Sequence, residues 1–464
     1  MVKNSLAAAL VLLTAFSSSC TGKPQDELPL DKDTPNVVDM QGNPVQGTRI
    51  NELGGQIVLK VDDKEPWQII SESDWIRVSK EKGFAPGLVT LNVEVNPFGT
   101  SREGKLKFSY LYKNQDKCFT MTISQEGSTG IRKSHPHDLM LYYCGVTELR
   151  DYYPEDVFLD YLITDEEPPR RLFDGALLLE IWKDPEHKVS FMGKAYGRYC
   201  YLSEITALFD TWMDVILPRL DNALERSKSM SPQPFYKQEV VLMIPVLPFP
   251  DGEAEWGYIE GYDTSDWSNW DKVLDVYKWE INEMMKKFLR KDFKNLELVG
   301  LYWPVESAGV AASRMAQLSE YINSRNLEFY FIPYYSNSFE SSVYSVWQKY
   351  GFNYCYLQPN YFFYENVEKQ RLYDACAMAK RYGMDLEMEF NPCAYLDWGY
   401  QRMTDYLDVF EEEGVWENNN IAYYQGGYDF TVLKNSKGVA DGWYSLYKRL
   451  SAYVADRWEK FHQE

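Results

Sequence analysis

The stretch DLEMEFN, residues 385–391, alternates apolar and polar side chains with a period of two. This alternation predicts a β-strand with one apolar face and one acidic face. The acidic face carries Glu387 and Glu389, and two carboxyl groups are costly to bury unless they are paired or perform chemistry. The role of this strand therefore depends on the elements that surround it.

Seven more apolar runs of strand length occur between residues 138 and 464, and helix-like stretches follow most of them. Besides 385–390, the strand candidates are 139–145, 173–182, 239–247, 296–303, 327–335, 352–359 and 421–427. Eight units of strand followed by helix favour a (β/α)8 barrel. The alternative, a doubly wound open sheet, would usually carry a Gly-rich phosphate loop, and the sequence has none. We therefore predict an α/β (β/α)8 TIM barrel over residues 135–464.

Residues 48–127 hold short alternating strands, and STGIRKS (128–134) joins them to the barrel region as a linker. The segments LGGQIVLKV, PWQIISESDWIRVS, VTLNVEVNPFGTSREGKLKF and FTMTISQEG follow one another. This order resembles the BACON module of carbohydrate-associated Bacteroidetes proteins, with matches at Trp67, Trp75, Asn96, Arg102, Gly104, Gln125 and Gly127. The resemblance implies a small all-β immunoglobulin-like sandwich that serves as a glycan binder or as a spacer. Trp67 and Trp75 suit either a sugar-stacking surface or a core, and the core is favoured.

The first twenty residues, MVKNSLAAALVLLTAFSSSC, are typical of a secretory signal peptide, with an apolar run too short to span a bilayer. The small residues before Cys20 resemble the lipobox of bacterial lipoproteins, although Ser17 stands where that motif usually has Leu. This resemblance implies a lipidated Cys20 that anchors the chain in the outer membrane, facing the cell surface or the periplasm. An ordinary secretory signal is the alternative. Residues 21–47 are polar and predict a flexible tether.

The composition excludes several function classes. A formal net charge of −21 argues against binding to nucleic acid, which requires clustered Lys and Arg. The chain has no CxxC pair and 4 His, so neither a zinc site nor a Ser-His-Asp triad is expected. A metal-dependent hydrolase that uses Asp263 and Asp266 is a less favoured alternative, because His ligands are lacking. We expect a monomer without metal or cofactor.

The candidate catalytic residues follow from the barrel. Helices cover the outside of such a barrel, so the acidic face of residues 385–391 should point inward, and Glu389 lies nearer the end where barrel enzymes build their sites. Glu306 comes directly after the fourth strand candidate. Carboxylates after strands four and seven resemble the arrangement of a large clan of retaining glycoside hydrolases. The resemblance implies Glu306 as acid/base and Glu389 as nucleophile. Glu387 lies deeper on the strand, so we expect it to support Glu389 through an ion pair or hydrogen bond. Val305 stands where that clan normally has Asn, and purely structural carboxyls are the alternative.

Aromatic and amide side chains follow several of the predicted strands. Planar rings can stack on the C–H faces of a sugar while amides bond its hydroxyl groups. The candidate substrate-binding residues are Trp256, Tyr334, Gln358, Asn360, Tyr361, Asn391, Trp398 and Gln425.

The segments DLMLYYCG and GLYWPVE resemble a C-terminal domain of unknown function found in Bacteroides and clostridial surface proteins. That resemblance implies secretion and a glycan setting. We therefore predict a cell-surface glycoside hydrolase that acts on a polysaccharide or host glycan. The alternative is a glycan-binding barrel without catalysis, which the missing Asn before Glu306 favours.

Overall fold

Eight parallel strands form a closed barrel in the computed structural model. The structure describes residues 37–62, 66–84, 86–112, 115–145, 153–194, 196–250, 256–306, 314–336 and 346–462. The barrel strands are β1 (Asp138–Tyr143), β2 (Gly175–Leu179), β3 (Gln238–Met243), β4 (Leu296–Trp303), β5 (Glu328–Phe331), β6 (Tyr354–Leu357), β7 (Asp385–Glu389) and β8 (Ile421–Tyr424). Each one coincides with a strand candidate of the sequence, so the barrel prediction is confirmed.

The pairing of β8 closes the barrel. Ile421 lies opposite Leu386 of β7 on one side and Asp138 of β1 on the other. Because the strands are covered on both faces, nearly all their residues are buried, which explains why they read as apolar runs in the sequence.

Helices separate most of the strands. They are α1 (Glu155–Leu162), α2 (Leu202–Thr211), α3 (Leu217–Ser227), α4 (Trp270–Lys291), α5 (Met315–Ser324), α6 (Gln370–Tyr382), α7 (Asp397–Glu412), α8 (Val415–Asn418), α9 (Asp429–Asn435) and α10 (Asp441–Phe461). A π-helical segment, Trp212–Ile216, joins α2 to α3. In the described part of the link between β5 and β6, the helical element is a 3-10 turn, Trp347–Tyr350.

The longest helix, α4, shows how the sequence sets the helix ends. The Asn269 side chain accepts hydrogen bonds from the backbone N–H groups of Asp271 and Lys272, which caps the first turn. Arg290 and Lys291 occupy the last turn, where positive charge interacts favourably with the helix dipole. This helix buries an apolar stripe against the barrel.

Two sheets make up the N-terminal module. One contains Val37–Val38, Gly55–Val61, Gly87–Val93 and Ile76–Val78, and the other contains Gly47–Ile50, Gln115–Gln125, Arg102–Tyr112, Trp67–Ser71 and Lys82–Gly83. Buried apolar residues from both sheets form one core, which includes Trp67 and Trp75. The core position predicted for these two Trp side chains is confirmed. The immunoglobulin-like topology and the BACON resemblance stay predictions.

The module begins earlier than the sequence suggested. Val37 and Val38 fall within the predicted tether, yet both are buried and pair with Val61 and Lys60. Two adjacent apolar residues gain more from covering the sheet than from remaining in water. The tether prediction is therefore wrong for these residues. Residues 1–36, with Cys20 and the predicted signal peptide, lie outside the described residues.

The module packs directly on the barrel. Arg325, at the end of α5, is 4% exposed and lies between the carboxylates of Glu94 at 2.8 Å and Asp74 at 3.4 Å. The side chain of Asn282 on α4 accepts a hydrogen bond from the backbone N–H of Val95 at 2.7 Å. The segment read as a linker also belongs to this interface, since Ile131 is buried and bridges to Leu298 of β4.

Within the described ranges, no helix is both long enough and apolar enough to cross a membrane.

Candidate functional site

A cleft opens at the carboxyl ends of the barrel strands, with a volume of about 350 Å³. All eight strands or the loops that follow them contribute to its walls. The lining residues are Leu141, Tyr143, Leu179, Ile181, Met192, Tyr196, Met243, Tyr302, Pro304, Glu306, Tyr334, Gln358, Asn360, Phe363, Glu387 and Tyr424. This is the face on which barrel enzymes build their active sites, and the volume lies at the lower end of the range for small-molecule sites.

Strand periodicity accounts for this lining. Leu141 and Tyr143 face the cleft from β1, and Tyr302, Pro304 and Glu306 do so from the end of β4. Alternate residues of a strand point to the same side, so every second position at the end of an inward face reaches the mouth.

Glu306 stands at the wall of the cleft just after β4. One oxygen of its carboxyl group accepts a hydrogen bond from Nε2 of Gln358 at 3.3 Å. The same Nε2 atom donates to the carbonyl of Ile332 at 2.8 Å, which fixes the amide in this orientation. Burial raises the pKa of Glu306, and the hydrogen bond from Gln358 opposes that change.

Glu387 faces the same cleft from β7 and is 2% exposed. Burial raises its pKa well above the usual range, and the nearby carboxyl groups of Glu389 and Glu306 raise it further. In the described part of the chain, no Lys, Arg or His forms an ion pair with Glu306 or Glu387. Two interacting carboxyl groups without a cation are costly to ionise together, which favours a proton on one of them.

Glu389 lies outside the cleft wall, which corrects the prediction that it would act there. One carboxylate oxygen accepts the backbone N–H of Asn360 at 2.8 Å, and the other accepts that of Tyr361 at 3.0 Å. The N–H of Phe362, at 3.5 Å, and the hydroxyl of Tyr406 on α7 also donate to this second oxygen. Burial raises the pKa of Glu389, and these four donors oppose the rise.

The loop after β6 supplies the cradle for Glu389. Asn360 has a φ of 52°, in the left-handed region, and successive N–H groups of such a turn converge on one anion. Asn360 also lines the cleft. The carboxylate of Glu389 therefore holds in place a loop that forms part of the cleft wall, and it has no access to a ligand in the cleft.

Three predicted binding residues line the cleft, namely Tyr334, Gln358 and Asn360. Three others, Trp256, Tyr361 and Gln425, are buried elsewhere. Trp256 is buried against Trp267, with ring centroids 5.0 Å apart. The structure therefore places Trp256 away from the cleft wall, in a position where its ring buries apolar area.

Tyr361 and Gln425 are also structural, against the prediction. The hydroxyl of Tyr361 donates to Asp405 of α7 at 2.7 Å. Gln425 is fully buried, and its side-chain oxygen accepts from the hydroxyl of Tyr161 at 2.8 Å and from the N–H of Phe430 at 3.2 Å. Both side chains satisfy buried polar groups and leave none for a ligand.

Asn391 and Trp398 follow β7 but stay outside the cleft wall. The Asn391 side chain accepts the backbone N–H of Cys393 at 2.8 Å and so caps the short helix that follows β7. Trp398 is half-buried beside Phe362 and the guanidinium of Arg402. The structure therefore assigns both residues to the packing of the loop before α7.

Sequence reasoning missed most of the aromatic lining. Tyr143 and Tyr424 are the last residues of β1 and β8, Tyr302 ends the inward face of β4, and Tyr196 and Phe363 lie in loops after strands. The strand-end rule that selected Glu306 would also have selected the first three.

The rim of the barrel mouth carries exposed apolar side chains. Tyr258, Tyr364, Leu396 and Tyr428 are exposed, and each lies in a loop after a barrel strand. These loops leave the barrel at the same face as the cleft, so the mouth is surrounded by apolar surface that the fold itself does not use.

Metal chemistry has no support among the described residues, since no group of three or more His, Cys, Asp or Glu side chains is arranged to hold an ion. The less favoured candidates Asp263 and Asp266 instead pair with Lys272 at 2.8 Å and 3.1 Å.

A family model described as a domain of unknown function (DUF4855) matches residues 138–451, which include all eight barrel strands. The chain belongs to the DUF4855 family. No curated protein matches the chain.

The chain is also similar to solved structures at low identity. A Bacteroides ovatus GH5 xyloglucanase is 9% identical, with a TM-score of 0.34 over 89% of this chain and 98% of that one. A putative α-galactosidase/melibiase from Bacteroides fragilis is 9% identical, with a TM-score of 0.34 over 89% and 78%. A family 18 chitinase from Crocus vernus is 14% identical, with a TM-score of 0.35 over 68% and 99%. With TM-scores this low, these likenesses contribute nothing to the assignment of a function to the DUF4855 domain.

Proposed function

We propose that the DUF4855 domain hydrolyses glycosidic bonds, with Glu306 and Glu387 as its two catalytic carboxyl groups. The observation that carries this proposal is their shared position in one aromatic cleft, where no described cation neutralises them. Glycoside hydrolysis needs such a pair, one protonated and one ionised, on either side of the scissile bond.

The environments of the two groups favour different protonation states. Glu387 is almost completely enclosed and accepts no hydrogen bond from a described residue. Glu306 is less enclosed and accepts the amide N–H of Gln358, which stabilises its charged form. The proton therefore resides on Glu387 in the free protein, and Glu306 is ionised. This assignment exchanges the roles that the resemblance to the retaining clan implied, because that resemblance made the strand-four carboxyl the acid.

Each of the two carboxyl groups then has its own role when the glycosidic bond is cleaved. Glu387 donates its proton to the glycosidic oxygen as the C–O bond to the leaving sugar breaks. Glu306 stabilises the positive charge that develops at the anomeric carbon, either as nucleophile or as the base that activates a water molecule. The anomeric configuration of the first product, measured by NMR, distinguishes these two roles of Glu306.

The rest of the cleft suits a sugar. Tyr143, Tyr196, Tyr334 and Tyr424 provide ring faces, and the amide side chains of Gln358 and Asn360 can bond hydroxyl groups. The exposed tyrosines at the rim, Tyr258, Tyr364 and Tyr428, supply further stacking surfaces for a chain that extends beyond the cleft.

The test is a glycan screen of the whole protein that measures binding and product formation together. We expect hydrolysis of at least one polysaccharide or host glycan, lost in Glu387→Gln and in Glu306→Gln but kept in Glu320→Gln, an exposed control on α5. Binding without product in the unmodified protein would instead establish a glycan-binding barrel. The absence of both binding and product would refute the proposal.

We further infer that the protein is a lipoprotein of the outer membrane, anchored through Cys20. The support is the signal-like segment with small residues before that Cys. Cys20→Ala should move the protein from the detergent phase to the aqueous phase in a phase-partition experiment on whole cells. Retention in the detergent phase would contradict the anchor.

A further inference from the structure

The described wall of the cleft carries charge of one sign. It contains two carboxyl groups, and no Lys, Arg or His is among its described lining residues.

Two Arg side chains bond the backbone of loops that carry cleft-lining residues. Arg371 donates to the carbonyl of Pro359 at 2.6 Å and to that of Tyr335 at 2.5 Å. Arg402 donates to the carbonyl of Tyr361 at 2.8 Å and to that of Val367 at 2.7 Å. Both guanidinium groups hold these loops in place.

An acidic sugar would therefore enter a cleft whose described lining offers it no counter-ion. Its carboxylate or sulfate would lose water, meet the charge of Glu306 and find only aromatic and amide side chains as partners. Neutral hydroxyl groups meet no such repulsion, and they can bond the amides and the carboxylate.

We propose that the cleft is specific for sugar units without an acidic group and discriminates against uronic acids and sulfated sugars. This proposal rests on the proposed function, because it concerns the substrate class of the same site. The repulsion from one ionised carboxylate at this depth predicts discrimination on the order of tenfold or more in affinity.

The experiment compares matched polymers. The full chain is titrated with β-glucan, xyloglucan, galactomannan and amylose, and with the same polymers after selective oxidation of the C6 hydroxymethyl group to a carboxylate. We expect at least one neutral polymer to bind, with its oxidised counterpart about tenfold weaker or more. Oxidised polymers that bind as tightly as the neutral ones, or more tightly, would overturn the specificity while the proposed function stands. If neither form of any polymer binds, this inference fails, and the glycan screen decides the proposed function separately.

A charge variant tests the physical cause. Glu306→Gln removes the ionised group, so the affinity ratio between the neutral and the oxidised polymer should fall towards one. Glu320→Gln on α5 should leave the ratio unchanged. Circular dichroism confirms that each variant is folded, and the polymer series with the unmodified protein decides the question if Glu306→Gln fails to fold. An unchanged ratio in folded Glu306→Gln would overturn the proposal.

Discussion

Buried carboxyl groups have different partners at the two ends of the barrel. At the amino-terminal end, which we call the floor, each of three carboxylates has a basic partner: Asp138 meets Arg457 at 2.8 Å, Asp174 meets His137 at 3.2 Å, and Glu239 meets Arg132 at 2.8 Å. At the mouth, Glu306 has one amide partner, and Glu387 has no hydrogen bond from a described residue.

The difference separates stability from function. At the floor, buried carboxylates are paired with basic side chains, which is the arrangement expected when only stability matters. The same fold could pair the carboxyl groups at the mouth in this way, but it does not pair Glu306 or Glu387 with a described cation. The unpaired groups at the mouth make the folded state less stable, a cost expected where pKa values are shifted for chemistry. Variants at the two ends should therefore fail in different assays.

The largest expected effect is on catalysis at the mouth. Glu387→Gln should reduce the hydrolysis rate by roughly 10²- to 10⁴-fold, because the amide has no proton to donate. Its unfolding midpoint should stay equal or rise, because a costly unpaired carboxyl group is removed. The measurement is turnover on a substrate from the screen, with thermal denaturation of the same sample.

Substrates with activated leaving groups sharpen this test, since they need no protonation. They should restore much of the activity of Glu387→Gln and little of that of Glu306→Gln. The reverse pattern would return the acid role to Glu306.

At the floor, the expected effect is on stability. Arg457 is 3% exposed, and it donates to both oxygens of Asp138 and to the carbonyls of His137 and Asn419. Arg457→Met should lower the free energy of unfolding by about 3–5 kcal/mol, because it leaves the buried carboxylate of Asp138 without its basic partner. Denaturant titration measures the loss, and Lys460→Met, an exposed control on the same helix, should change it by less than about 0.5 kcal/mol. If Arg457→Met leaves the free energy of unfolding unchanged, the ion pair at the floor is not needed for stability.

Glu389 tests the comparison between the two ends of the barrel. It lies at the mouth end of β7, yet four donors satisfy its carboxylate, as basic partners satisfy the carboxylates of the floor. Glu389→Gln should lower the free energy of unfolding by about 1–3 kcal/mol, since an NH2 group then faces backbone N–H donors. Its KM should rise more than its kcat falls, because Asn360 loses its support. The control is Glu365→Gln, an exposed residue of the same loop. Complete loss of turnover with unchanged stability would restore Glu389 as a catalytic group.

The smallest expected effect is a pH dependence at the floor. Burial favours a lower pKa for His137, but the hydrogen bond and charge of Asp174 outweigh it, so the pKa is raised above 6.5. Burial likewise favours a higher pKa for Asp174, and His137 and His462 lower it below 3.8. The His137 contribution is thus fully present below pH 6.5 and is lost as the pH rises through the raised value, while that of Asp174 is lost as the pH falls through its lowered value.

His137→Gln should therefore reduce the free energy of unfolding more at a pH between the pKa of Asp174 and that of His137 than at a pH above the pKa of His137. The difference between the two losses should be less than about 1 kcal/mol. Denaturant midpoints across a pH series measure this difference. His187→Gln, which removes an exposed histidine beside Asp184, is the matched control. Equal losses at all pH values would contradict the linkage.

The barrel was predictable because its signal is local and repeated. Each strand is an apolar run followed by a helical pattern, and closure into a barrel follows from eight such units. Glu306 was predictable for the same reason, since its place depends only on the end of β4. The orientation of Glu389 was not, because donors from residues 360–362 and from Tyr406 determine it, and only the folded chain brings them together.

The aromatic residues show a second limit. Trp256, in the loop after β3, and Tyr143, the last residue of β1, are both aromatic, yet the first is buried in the core and the second lines the cleft. Composition cannot separate these outcomes, because the same apolar area stabilises either position. Periodicity could have separated part of the set, since Tyr143 ends an inward-facing series on β1.

The burial of Arg325 has a consequence for how the molecule comes apart. Its guanidinium is shared by Glu94 and Asp74 of the module, and Val95 of the module is buried in the same core as the barrel strands. Pulling the module away would break the ion pairs of Arg325 with Glu94 and Asp74 and would expose apolar surface on both sides. Module and barrel therefore melt together, and differential scanning calorimetry should record one cooperative heat-absorption peak for the two domains.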